Sequence, residues 1–120
     1  MAVMVAVTDS EEGAIALAAA TLEARRRDTE LLVADLRLGP VESPEGTDGV
    51  RTTVLEREPD VDVGDHVLRL LETRDDVELL VIGVKRRTPV GKLVLGSLSQ
   101  RLLLEADVPV LAVKKPAQAR

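Results

Sequence analysis

The chain has 120 residues, 45% hydrophobic and 31% charged, with no cysteine, one histidine and no Phe, Trp or Tyr. That is one globular domain, long enough to bury roughly two thirds of its unfolded surface around a core of Leu, Val and Ala with Ile15, Ile82, Met1 and Met4. The missing aromatics exclude nucleic-acid sites built on stacked bases and a membrane-interface belt, the missing cysteines exclude disulfides and thiolate chemistry, and a net charge of −5 makes the chain a poor duplex binder.

Residues 2–8, AVMVAVT, form a short β-branched apolar run, read as a strand buried on both faces. Residues 11–27 change period. Ile15, Ala18, Ala19 and Leu22 recur at helical spacing, and Arg25, Arg26 and Arg27 complement a helix C-terminus. Residues 30–36, ELLVADL, are a second strand. Residues 37–50 carry Gly39, Pro40, Pro44, Gly46 and Gly49 and read as a loop. Residues 51–57 are a third, more exposed strand at an edge. A helix follows over 60–76 on Val63, Val67, Leu68, Leu70 and Leu71, its start blurred by Gly64. Its His66 is expected to be structural or exposed. Residues 78–83 are a fourth strand, 84–96 a basic loop, and 97–106 a helix with Leu98 and Leu102 on one face, joined by Leu103. Residues 108–113, VPVLAV, are the last strand. The domain covers 1–115, and 116–120 is a tail.

Such alternation makes an α/β protein with a doubly wound five-stranded parallel sheet and helices on both faces. The common strand order is 3-2-1-4-5, with a shortened crossover between strands 2 and 3. That crossover only just supplies the dozen or so residues that parallel pairing needs, so a frayed third strand is one expectation. The winding reverses between strands 1 and 4, and ligands bind outside the strand carboxyl ends at that point. Thr8, Asp9 and Ser10 follow strand 1 there, and Gly83 onward follows strand 4. The glycine-bearing loop from Gly83 to Ser97 begins at the same crevice, so two independent readings select one place.

That loop ends in Gly96-Ser97 at a helix start, where backbone N–H groups and the dipole favour an anion. Ser97 and Ser99 hydroxyls can donate to phosphate, and Lys85, Arg86, Arg87 and Lys92 add four cations to an acidic chain. This reads as a phosphate-binding loop, although the P-loop pattern is missing. Blander readings stand beside it. Asp9-x-x-Glu12 and Ser97-x-x-Gln100 both fit capping boxes, and a charge run is commonly a solvated face.

The pattern Gly, two residues, Gly, nine residues, Gly, then Ser or Thr resembles the nucleotide-binding signature of the universal stress proteins. Gly83 matches the first glycine and Gly96-Ser97 the end. The run through Arg101, Leu103, Leu104, Ala106, Pro109 and Val110, the opening V-A-V-T-D-S, and E-P-D after the third strand are also similar to that family. The resemblance spans nearly the whole chain. It implies ATP or AMP across the carboxyl ends of strands 1 and 4, with Val7, Val33 and Ile82 flanking adenine. Phosphates would lie on residues 83–87 and 96–99, Leu98 included, and Mg²⁺ would bridge phosphate to Asp9. It also implies a homodimer through the last strand, with Val108, Val110 and Leu111 meeting their mates. Two features depart from the family. Arg86 stands at the second signature glycine, where a side chain either obstructs phosphates or pairs with them. The 37–50 segment is a loop where the family has a helix.

The alternative reading is a homodimeric scaffold of the same family that binds no nucleotide. An enzyme is not expected beyond slow ATP hydrolysis, because no acid pair, nucleophile–base dyad or Walker lysine is present. A phospho-acceptor receiver shares this strand order but wants an acidic cluster around a central aspartate. No nucleic-acid or membrane partner is expected, an unidentified protein partner is possible, and no 18-residue apolar run or basic leader directs the chain away from the cytoplasm.

Overall fold

The structure, a computed structural model, describes residues 1–37, 49–84 and 96–114. The elements are β1 (Ala2–Val7), α1 (Glu11–Arg27), β2 (Glu30–Asp35), β3 (Thr52–Glu56), α2 (Val63–Thr73), β4 (Val77–Val84), α3 (Ser97–Glu105) and β5 (Val110–Lys114). The strands form one parallel sheet in the order β3-β2-β1-β4-β5, as the alternation predicts. Ala2 to Val7 pair with Glu30 to Asp35, and Val3 to Val5 pair with Leu79 to Val81. β3 is a full partner of β2, with Leu31 to Asp35 in register with Thr52 to Glu56, so the frayed third strand is not what the chain adopts.

All six residues of β1 are buried, the signature of a central parallel strand covered on both faces. Period-two alternation sorts the core into two halves. Val3, Val5, Val7, Leu31, Val33, Leu79 and Val81 pack with Ala16, Ala20 and Ala24 of α1. Met4, Ala6, Leu32, Leu80 and Ile82 pack with Val67 and Leu71 of α2 and Leu102 of α3. The edge strands β3 and β5 are only half covered.

The buried stripe of α1 differs from the expected one. Gly13, Ala16, Ala20, Thr21 and Ala24 face the sheet, whereas Ala18 and Leu22 are exposed. Apolar residues run almost around this helix, so periodicity alone did not select a face. The small residues do, because their short side chains let the helix axis approach the sheet closely. The same correction applies to α3, where Leu102 is fully buried while Leu103 points outward, and to Met1, which is exposed.

α2 begins three residues later than predicted because Asp62 caps it, its carboxylate accepting from the Asp65 amide at 3.1 Å. β5 begins after Pro109, which has no N–H for the ladder but whose carbonyl accepts from Leu80 at 2.9 Å. Arg101 of α3 reaches across to α2. It donates to Asp62 at 2.7 Å and to Asp65, and within its own helix to Glu105 at 3.1 Å. Gly64 makes this possible, since a Cβ there would stand 2.9 Å from the guanidinium.

Candidate functional site

Three elements meet at the carboxyl ends of β1 and β4. β1 ends at Val7, and the chain turns through Thr8, Asp9 and Ser10 into α1. The first turn of α1 sinks into the notch between the two strands. Gly13 permits this, because a Cβ there would lie 2.4 Å from the Thr8 carbonyl oxygen. Gly83 permits it from the other side, where a Cβ would lie 2.2 Å from the Glu12 carbonyl oxygen. Both distances are far inside van der Waals contact, so each glycine is required by backbone packing before any ligand is considered.

α3 enters from the opposite wall. Its N-cap is Gly96, whose carbonyl accepts from the Gln100 amide at 3.0 Å. Ser99 on the first turn donates to the Gly83 carbonyl at 3.2 Å, fastening the start of α3 to the end of β4. The N-cap of α1 is Ser10, not Asp9, and that of α3 is Gly96, not Ser97, so neither expected capping box forms. The Ser10 hydroxyl instead pairs with the Thr8 hydroxyl at 2.7 Å. Among the described residues, neither N-cap residue caps its helix with a side chain.

Between these helix starts lies a cleft of about 110 Å³, lined by Thr8, Ser10, Glu12, Ile82, Gly96 and Leu98, with Ala6, Gly13, Gly83, Ser99 and Leu102 completing it. The structure thus brings together Thr8, Ser10, Ile82, Gly83, Gly96, Leu98 and Ser99 of the residues expected at the site. Asp9 is an exposed residue of the β1–α1 turn, and Ser97 is the exposed first residue of α3. Val33 is in the α1-side core, 1% exposed, and is not part of the cleft wall. Lys85, Arg86, Arg87 and Lys92 lie outside the described residues.

Ala6, Glu12, Gly13 and Leu102 were missed. Gly13 had a signal, a glycine inside the first turn of a helical pattern, which marks close backbone approach. Glu12 had been read only as a capping partner.

The two helix starts differ electrically. α1 carries Glu11 and Glu12 in its first turn, whereas α3 carries no acidic residue there. The α3 end is therefore the better seat for an anion. Gly96 fits that use. Among the described residues nothing lies within 4 Å of a Cβ placed on it, and its φ of −70° suits any residue. Packing in the described fold does not require glycine at this position, although an N-cap favours it over alanine, and a phosphate drawn close to the backbone would use the space it leaves. Magnesium has no such support, since no three His, Asp or Glu side chains gather as a metal site among the described residues.

At the carboxyl end of β2, outside the cleft lining, is an ion pair that carries no motif in the sequence. Asp35 is 2% exposed and in register with Val7. Arg37 grips it with both arms, Nε to Oδ1 at 2.8 Å and Nη2 to Oδ2 at 2.9 Å, and its backbone N–H adds a third bond at 3.1 Å. These bonds hold the Asp35 carboxyl below the usual carboxylate range against the opposing effect of burial. An apolar strand ending in Asp-Leu-Arg carries no motif that would have announced this.

The order of strands and the cleft at the point where winding reverses define a doubly wound α/β protein with its site at the topological switch. Residues 45–114 match the sequence pattern of the universal stress protein family. A universal stress protein from Mycolicibacterium smegmatis is 44% identical over an alignment of 108 residues, which takes in 77% of this chain and 81% of the relative. The chain belongs to the universal stress protein family. Among solved structures, a universal stress protein from Archaeoglobus fulgidus superposes with a TM-score of 0.72 at 23% identity, covering 93% of this chain and 97% of the other. A universal stress protein from the same organism in complex with dAMP gives 0.66 at 19% identity, covering 93% and 96%. At these identities the structures attest the fold.

Proposed function

We propose that the protein is a regulatory domain that binds an adenine nucleotide, AMP or ATP, across the carboxyl ends of β1 and β4. The observation that carries this reading is the junction of two helix starts without side-chain caps at a switch-point cleft, with Gly96 beside it free of any packing demand. A relative of the same fold in complex with dAMP supports it. In this reading the phosphate sits at Gly96, Ser97, Leu98 and Ser99. Thr8 and Ser10 line the sugar side, and Ile82 with Leu98 supplies aliphatic surface. Arg86 and its neighbours Lys85 and Arg87 add charge for a longer phosphate chain. The reading requires no metal and no turnover, and its setting is the cytoplasm.

The same proposal includes a homodimer. β5 pairs with β4 on one side only among the described residues, and an unpaired apolar edge invites another strand. Leu111 is exposed, and Val108 and Val110 are half-buried there. Light scattering at micromolar concentration should give twice the chain mass, and Leu111→Asp should halve it.

Isothermal titration with AMP and with ATP tests the nucleotide reading. Saturable heat with at least one of them is expected, and the absence of heat and of any thermal shift at millimolar nucleotide would sink it. Phosphate release measured over hours should stay at background.

A further inference from the structure

α3 brings Gly96 and Ser99 to the cleft, yet its hold on the fold is slight. It is nine residues long, and Leu102 alone among them is buried. Leu98 packs in part against the same core, and Ser99 ties the first turn to the Gly83 carbonyl at 3.2 Å. These contacts hold α3 down onto the sheet. Its sideways position, against α2, has a different source. Among the described residues, the polar link between the two helices is Arg101.

The start of α2 is built to receive that guanidinium. Nη1 donates to Asp62 Oδ2 at 2.7 Å and Nη2 to Asp65 Oδ1, while Nε donates to Glu105 Oε2 of its own helix at 3.1 Å. Asp62 Oδ2 also accepts from the Asp65 amide at 3.1 Å. The oxygen that caps α2 is thus the one that holds α3. Beside it stands Gly64, a residue that weakens a helix relative to alanine. A Cβ there would lie 2.9 Å from Nη1 and 3.0 Å from Cδ of Arg101. The space of the missing side chain is filled by the arginine. Arg101 keeps 35% of its side chain exposed and its α2 partners more, and exposed ion pairs add little to global stability. The consequence of this cradle is geometric, because it sets where α3 lies.

We propose that Arg101 is a positioning residue of the nucleotide site: seated in the cradle of Asp62, Gly64 and Asp65, it fixes the first turn of α3 and with it the phosphate seat. This rests on the nucleotide-binding reading above and adds a residue that touches no ligand. Arg101 does not line the cleft. It acts through the helix that it shares with Ser97, Leu98 and Ser99.

The test titrates AMP into the full chain as wild type, Arg101→Met, Asp65→Ala and Gly64→Ala, with stability measured by urea unfolding. Arg101→Met should weaken AMP about threefold or more, the scale on which an exposed ion-pair network acts. The other two variants separate position from charge and from stability. Asp65→Ala removes a negative charge, so electrostatics alone would tighten the binding of an anion, whereas loss of the cradle weakens it. Gly64→Ala changes no charge and improves the helix, but its methyl group displaces the guanidinium. Its urea midpoint should be equal to wild type or higher while its AMP affinity falls about twofold or more. If Arg101→Met does not fold, Gly64→Ala decides the matter alone. Wild-type affinity in Gly64→Ala overturns the proposal, as does AMP binding in Asp65→Ala that is unchanged or tighter, and the nucleotide reading then stands. A fall in the urea midpoint of Gly64→Ala that accompanies its loss of affinity also overturns it, since Arg101 would then serve stability alone. Wild-type protein that binds no AMP overturns both.

Discussion

Gly83→Ala and Gly96→Ala separate a glycine required by the fold from one left to the ligand. A methyl group on Gly83 would sit 2.2 Å from the Glu12 carbonyl oxygen, 2.8 Å from its carbon and 2.9 Å from its Cβ. Ordinary contact begins near 3.4 Å, so the first turn of α1 must retreat by about an ångström or β4 must bend away. Neither is cheap, because the obstacle is backbone and both elements are anchored in the core. Overpacking of this kind costs about 1–3 kcal/mol, and a backbone clash this close belongs at the upper end. For a chain of this length, about 3 kcal/mol lowers the midpoint of thermal unfolding by roughly 10 °C. The Gly96 variant meets nothing within 4 Å among the described residues, and its φ of −70° suits alanine. With no clash, its stability should fall by no more than about 1 kcal/mol, the loss of the N-cap preference for glycine over alanine set against the gain through the unfolded chain, while its nucleotide affinity falls. Urea and thermal unfolding followed by far-ultraviolet circular dichroism provide the stabilities, since the chain has no aromatic fluorescence. A loss under about 0.5 kcal/mol in Gly83→Ala would refute the packing argument, because surface substitutions already fall in that range.

Three further outcomes can be checked on the same apparatus. Leu102 is fully buried beneath α3, so Leu102→Ala should cost about 3 kcal/mol in urea unfolding. The buried Nε2 of His66 has no hydrogen-bond partner among the described residues, so His66→Leu should stabilise the protein by about 1 kcal/mol. A loss of that size would show that the imidazole has a partner the geometry does not reveal. Asp35 has a folded-state pKa below its unfolded value of about 3.9. Its contribution is therefore present above that value and declines as pH falls through the lower, folded one. Stability of wild type relative to Asp35→Asn should hold from neutrality down to about pH 4 and narrow below it.

The sheet was legible because its signal is redundant. Five short apolar runs, separated by helical periods and glycine-bearing loops, admit essentially one parallel topology, and the switch point then places Thr8, Ser10 and Gly83 together. Helix faces were less legible for a reason visible in α1. When alanine and leucine surround a helix, the buried side is chosen by how closely the backbone can approach the sheet, and that depends on Gly13, Ala16, Ala20 and Ala24 meeting surfaces far away in sequence. α1 and α3 start where the periodicity places them, but their capping residues differ from the expected ones. A capping box is a local pattern, but Asp9 and Ser97 each stand one residue from the observed N-cap, and the Ser10 hydroxyl pairs with Thr8 while that of Ser99 reaches the carbonyl of Gly83, sixteen residues away.

The same distinction governs the site. Residues that act through the backbone, such as Gly13, Gly83 and the two N-caps, leave a trace in the sequence because glycine marks close backbone approach and serine and glycine are favoured at N-caps. Asp35 and Arg37 leave none. Asp35 closes an otherwise apolar run, and Arg37 becomes significant only when the strand end is buried and the guanidinium turns back onto it. Val33, which the family resemblance sets beside adenine, lies in the α1-side core. The absence of aromatic residues therefore has two consequences at different levels. In the sequence it excludes stacked-base recognition by Phe, Tyr or Trp. In the folded chain it leaves the cleft at the ends of β1 and β4 to aliphatic surface, with Ala6, Ile82, Leu98 and Leu102 among its walls.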